Sequence, residues 1–176
     1  MNFRVCYIIN WKVSLLIIPC TGHQTSRLIF ISYSSKQAES ALKLKCYIDS
    51  HFGPRVETWL AMSDMVGGPL EAMSDNVKRA SMVILCLSSS YEKSEYCLAE
   101  ACMAMEQKKN RLVLIMEDGY DPKNSSTLFP IVAQPRRIKC YNDKMLQESL
   151  ELIYREIEIS MDLRYCIPFT FADDLI

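Results

Sequence analysis

A chain of 176 residues, 49% of them hydrophobic and 23% charged, is long enough to bury one domain's core and too apolar to remain disordered. Its 20 basic and 21 acidic residues are interspersed and leave a formal net charge of −1, which excludes the basic face that a phosphate backbone requires. No nucleic-acid partner is therefore expected. Cys6, Cys20, Cys46, Cys86, Cys97, Cys102, Cys140 and Cys166 include no Cys-x-x-Cys pair, and His23 and His51 lie far apart. Neither a metal site nor a disulfide framework follows from that spacing. Free thiols on apolar faces pack as small hydrophobes, the pattern of a reduced, cytoplasmic protein.

Residues 1–27 form an apolar extension of unclear role. Val5 to Cys20 is mostly apolar but is interrupted by Asn10, Lys12 and Ser14, too short and too broken for a spanning helix. Arg4 ahead of the short apolar run Val13 to Ile18 leaves a signal peptide open, but a membrane or targeting role is the less expected reading. An extra strand or an unstructured extension fits better. Leu28 to Tyr33 is a continuous β-prone run, as expected of a strand buried on both faces. Ser34 and Ser35 can cap the next helix, Lys36 to His51, whose Ala38, Ala41, Leu42, Lys45 and Ile48 fall at helical spacing. Phe52-Gly53-Pro54 stops it, and Val56 to Met62 reads as the second strand.

Ser63 to Pro69 is a loop with two glycines, and Pro69 suits the first turn of a helix running to Arg79 with Leu70, Met73 and Val77 on one side. Met82 to Leu87 is the most apolar strand, and the helix after it carries Tyr96 and Glu100 at i and i+4, on one face. Arg111 to Met116 is a fourth strand, residues 118–134 a long loop, and Arg137 to Tyr141 a short edge strand. The last helix is marked by Leu146, Leu150, Ile153 and Ile157. Residues 161–176 read as a tail. Strands alternating with helices predict an α/β, flavodoxin-like doubly wound sheet of about five, mostly parallel strands with helices on both faces, spanning 28–160.

Such a sheet hosts many functions, so residues must choose among them. The turn after the first strand, Ser32 to Lys36, has no glycine, which excludes a dinucleotide fingerprint, and no P-loop is present. The third strand ends Leu87-Ser88-Ser89, without the aspartate of a phospho-acceptor receiver. Read alone, Glu100 is a solvated acid on an amphipathic helix, Tyr96 a packing residue, and Gly67-Gly68 an ordinary turn.

Four pieces in order carry a resemblance. Ile29 to Ser34, then Trp59-Leu60 with Asp64 to Met73, then Val83 to Tyr91, and lastly Cys97-Leu98-Ala99-Glu100 together resemble the strand, loop and helix signatures of TIR (Toll/interleukin-1 receptor) domains. The resemblance implies intracellular signal transduction of the innate-immune type by association with other TIR domains, through self-association or an adaptor. The surface it implies is the BB loop, here Asp64, Met65, Val66, Gly67, Gly68 and Pro69. Some family members instead cleave NAD+ at the nicotinamide–ribose bond with a glutamate on this helix, which matches Glu100. Tyr96 stands where several of them carry tryptophan. On that alternative, Ser32, Tyr33, Ser34, Lys36, Trp59 and Tyr96 are the expected substrate-binding residues, NAD+ is the candidate substrate, and no cofactor is required. Ala61, where many members have an acid, and Val66, where a basic residue is common, depart from the pattern.

Overall fold

The computed structural model describes residues 5–6, 18–19, 27–61 and 70–163, the first four and 70–72 by backbone alone. Val5–Cys6 and Ile18–Pro19 pair antiparallel. The remaining elements alternate: β1 (Arg27–Tyr33), α1 (Ala38–Phe52), β2 (Val56–Leu60), α2 (Leu70–Arg79), β3 (Met82–Leu87), α3 (Ser89–Glu92), α4 (Glu95–Glu106), β4 (Asn110–Ile115), α5 (Phe129–Val132), β5 (Arg137–Lys139) and α6 (Asp143–Ser160). The strands form one five-stranded sheet in the order β2-β1-β3-β4-β5. Every neighbouring pair in it is parallel.

Side chains alternate across each strand, so β1 to β4 each feed two cores. Ile29, Ile31, Ile84, Cys86, Leu112 and Leu114 face α1 and α6. Leu28, Phe30, Val83, Leu85, Leu87 and Val113 face α2, α4 and α5. All six residues of β3 are buried, which fits the strand at the centre of the sheet. The chain leaves β1 toward one face and β3 toward the other. Their adjacent carboxyl ends are therefore the topological switch point, where open α/β sheets form their crevice.

Three local expectations need correction. The buried face of α1 is Ala41, Leu44, Ile48 and Phe52, while Leu42 is 52% exposed and Ala38 is also exposed. The helix runs one residue beyond His51, and Phe52 rotates the apolar face away from Leu42. Ser34 does not cap with its side chain; its hydroxyl is engaged by Gln37 and Ser90. The loop expected at 118–134 contains a 3-10 turn at Pro122–Asn124 and the short helix α5, whose Ile131 and Val132 are buried. The α6 face matches its sequence pattern, with Leu146, Leu150, Ile153 and Ile157 all buried.

Candidate functional site

At the switch point the chain gathers hydroxyls and one carboxyl. Ser32 lies two residues beyond Phe30 on β1, so alternation turns it toward α4. Glu100 meets it there. The buried face of α4 is Cys97, Glu100, Ala101 and Ala104, and Glu100 is only 2% exposed. Its Oε2 accepts a hydrogen bond from Ser32 Oγ at 2.5 Å. Ser32 Oγ also lies 2.6 Å from the Tyr91 hydroxyl, which donates to the Cys97 carbonyl at 3.0 Å. Burial pushes the Glu100 carboxyl up to about 7, against a smaller opposite pull from the Ser32 hydroxyl. Burial likewise raises the Tyr91 phenol, and the neighbouring Glu100 raises it further.

A second polar group borders the first. Gln37 Oε1 accepts from Ser88 Oγ at 3.1 Å and Ser90 Oγ at 3.3 Å, and from Ser34. Ser88 also starts α3 by accepting from the Tyr91 amide at 3.2 Å, and Ser94 starts α4 by accepting from the Cys97 amide at 3.3 Å. At the rim Glu117 accepts from the Ser89 amide and hydroxyl. Those bonds lower its carboxyl, with Lys36 and Lys93 adding to the effect.

The structure thus brings Ser32, Ser34 and Glu100 to one crevice and sets Lys36 at its exposed margin. It separates the others. Tyr33 packs against the α1–α6 core, on the opposite side of the sheet from Ser32, because it is the next residue along a strand. Tyr96 is 45% exposed, so the ring and the Glu100 carboxyl are not presented together: one faces solvent, the other the interior. Trp59 stacks on Phe30, with ring centroids 4.9 Å apart and planes at 28°, and packs against the α2–α4 core. Asp64, Met65, Val66, Gly67, Gly68 and Pro69 lie outside the described residues. Glu100 is no solvated acid, since its helix turns it inward.

Sequence reasoning gave no role to Tyr91, Gln37, Ser88 or Ser90. Alternation past Leu87 and the register of β1 beside β3 carry that signal. Among the described residues, no group of three or more His, Cys, Asp or Glu could hold a metal ion, and no helix is long and apolar enough to cross a membrane. Across the sheet, a separate groove of about 730 Å³ runs between α1 and α6, with Leu42, Cys46, Tyr47, Leu146 and Leu150 in its walls.

The TIR domain family model matches residues 29–151. The chain belongs to the TIR domain family. Among solved structures it resembles the TIR domain of the Toll-related receptor TRR-2 from Hydra magnipapillata, at 14% identity and TM-score 0.55, over 74% of this chain and 97% of that one. It also resembles the TIR domains of the activated Roq1 resistosome that directly recognises the pathogen effector XopQ, at 12% identity and TM-score 0.54, over 75% of this chain and 99% of that one. At these identities the likeness is one of fold. No curated protein matches. In this TIR domain Tyr91 of α3 and Glu100 of α4 are buried beside Ser32, where β1 and β3 end.

Proposed function

We propose that this TIR domain serves innate-immune-type signal transduction in the cytoplasm by associating with other TIR domains. The observation that carries the reading is an exposed apolar side chain, Leu42, on the rim of the α1–α6 groove of a TIR fold. A large apolar side chain beside a groove favours contact with another surface. One of the similar structures is that of the TIR domains of an activated resistosome, which fits the same reading. The Asp64 to Pro69 loop is the second surface proposed for the contact.

A second reading has its own observation: a single carboxyl, Glu100, buried among hydroxyls at the switch point. It supports cleavage of NAD+ between nicotinamide and ribose. In that reaction the C–N bond breaks, its electron pair leaves with neutral nicotinamide, and water adds to the ribose carbon while its proton goes to solvent. An ionised Glu100 would stabilise the positive charge that develops on the ribose. No strong general acid is required, because the leaving group is neutral.

One set of measurements tests both. Sedimentation of the purified chain across a concentration series is expected to show self-association, weakened in Leu42→Asp and in Gly68→Asp, both still folded by circular dichroism. A monomer at every concentration defeats the first reading. Nicotinamide release from NAD+, followed by chromatography, is expected to disappear in Glu100→Ala. Release that survives the substitution, or none from an assembled sample, defeats the second.

A further inference from the structure

The hydrogen bonds around Glu100 form a chain with three links: Glu100 to Ser32, Ser32 to Tyr91, and Tyr91 to the Cys97 carbonyl. Each link needs one proton. With Glu100 ionised, Ser32 and Tyr91 supply one each, and one of the three links has none. If Ser32 donates to the carboxylate and Tyr91 to the carbonyl, the 2.6 Å contact between the two hydroxyls is a meeting of lone pairs. With Glu100 protonated the count closes: the carboxyl donates to Ser32, Ser32 to Tyr91, and Tyr91 to Cys97. Buried polar groups left without a partner are costly, so the closed count is favoured.

No cation among the described residues offsets a negative charge at Glu100. Among the described residues, the titratable groups facing the chain are Tyr91 from α3, Cys97 from α4 and Cys86 from β3, all neutral when protonated. The influences on Glu100 itself are burial and the Ser32 hydroxyl, with no cation among them.

We propose that Ser32 and Tyr91 are positioning residues for Glu100, and that the chain they complete holds Glu100 as the neutral acid in the resting domain. An ionised Glu100 requires Ser32 to donate to it, and then either the Ser32–Tyr91 contact or the link from Tyr91 to Cys97 goes without a proton. For its catalytic consequence alone, this rests on the NAD+-cleaving reading: the carboxylate needed for cleavage would form more readily once β1 and the α3–α4 corner rearrange, as a ligand hydroxyl replacing Ser32 would bring about.

The test is a carbon-13 NMR titration of glutamate side-chain carboxyls in the full-length chain without substrate, with Glu100 assigned by its loss in Glu100→Gln. One carboxyl is expected to titrate near 7. Tyr91→Phe removes two of the three links of the neutral form but only one of the ionised form, so its midpoint moves down. Ser32→Ala removes two links of the neutral form and, from the ionised form, one charge-assisted bond about twice as strong as a neutral one, so its midpoint moves less. A downward shift of about half a unit or more in Tyr91→Phe, with a smaller change in Ser32→Ala, is not expected from packing changes alone. Tyr91→Phe keeps its ring in the core and carries the test by itself should Ser32→Ala fail to fold. A Glu100 midpoint near 4.5, or one unmoved in Tyr91→Phe, overturns the proposal. Nicotinamide release is measured separately, so cleavage by a domain whose Glu100 titrates near 4.5 would sink this inference and leave the cleavage reading standing.

Discussion

A carboxyl moved from water into a protein interior keeps its proton longer, and Glu100 converts that into a dependence of stability on pH. In the unfolded chain the group titrates near 4.5, and in the fold near 7. Between those values the folded state binds the additional proton. The contribution is full below about 4.5, declines as pH rises, and is gone above about 7. The whole limb is worth on the order of 3 kcal/mol. Glu100→Gln, whose amide can donate to Ser32 as the neutral acid does, is expected to flatten it. Urea midpoints at pH 5 and pH 8 check this: they differ in the parent and converge in the variant, which is the more stable of the two at pH 8. The identity of Glu100 was legible in the sequence, its burial was not. α4 is apolar nearly all round, with Cys97, Leu98, Ala99, Ala101, Met103 and Ala104, so composition does not fix which arc turns inward. Only the docked helix separates Glu100 from Tyr96.

At the scale of elements, a strong stripe is readable and a weak one is not. α6 has a single apolar arc, and its sequence pattern and its buried face coincide. α1 offers two arcs, one through Ala38, Leu42 and Lys45 and one through Leu44 and Phe52, and both include Ala41 and Ile48. The second wins because Phe52, at the last turn, stacks on Tyr154 of α6, with ring centroids 4.6 Å apart. That contact lies outside any local window. Two substitutions of the same chemistry measure the difference. Leu44→Ala is expected to cost about 2–5 kcal/mol in urea unfolding, as a cavity in a packed core does. Leu42→Ala is expected to stay within about 0.5 kcal/mol, as an exposed site does. Equal losses would restore the phase read from the sequence.

For the molecule as a whole, alternating strands and helices announced a doubly wound sheet, but the order β2-β1-β3-β4-β5 is set by pairings between strands distant in sequence. The same architecture sorts the thiols. Cys46 is exposed on α1, Cys102 is half-buried, and Cys86, Cys97 and Cys140 are buried. Burial also raises the Cys86 and Cys140 thiols, which keeps them in the unreactive protonated form. In the native protein a thiol reagent is expected to modify Cys46 before Cys86, Cys97 and Cys140, which stay protected until urea unfolds the chain. Peptide mapping by mass spectrometry reads the order, and early modification of Cys86 would contradict the packing described for β3.

The sheet has two rims, and each is blunted differently. β5 is three residues long and carries exposed Arg137 and Lys139. On β2 the Ala61 amide donates inward to Ile31, so by alternation the Thr58 carbonyl points away from β1, and Lys45 Nζ occupies it at 2.9 Å. A lysine plugged into one margin and two cations along the other leave little for a foreign strand to zip onto. Any larger body built from this domain therefore grows through helices and loops, and it can come apart again without the permanence of a cross-β fibre.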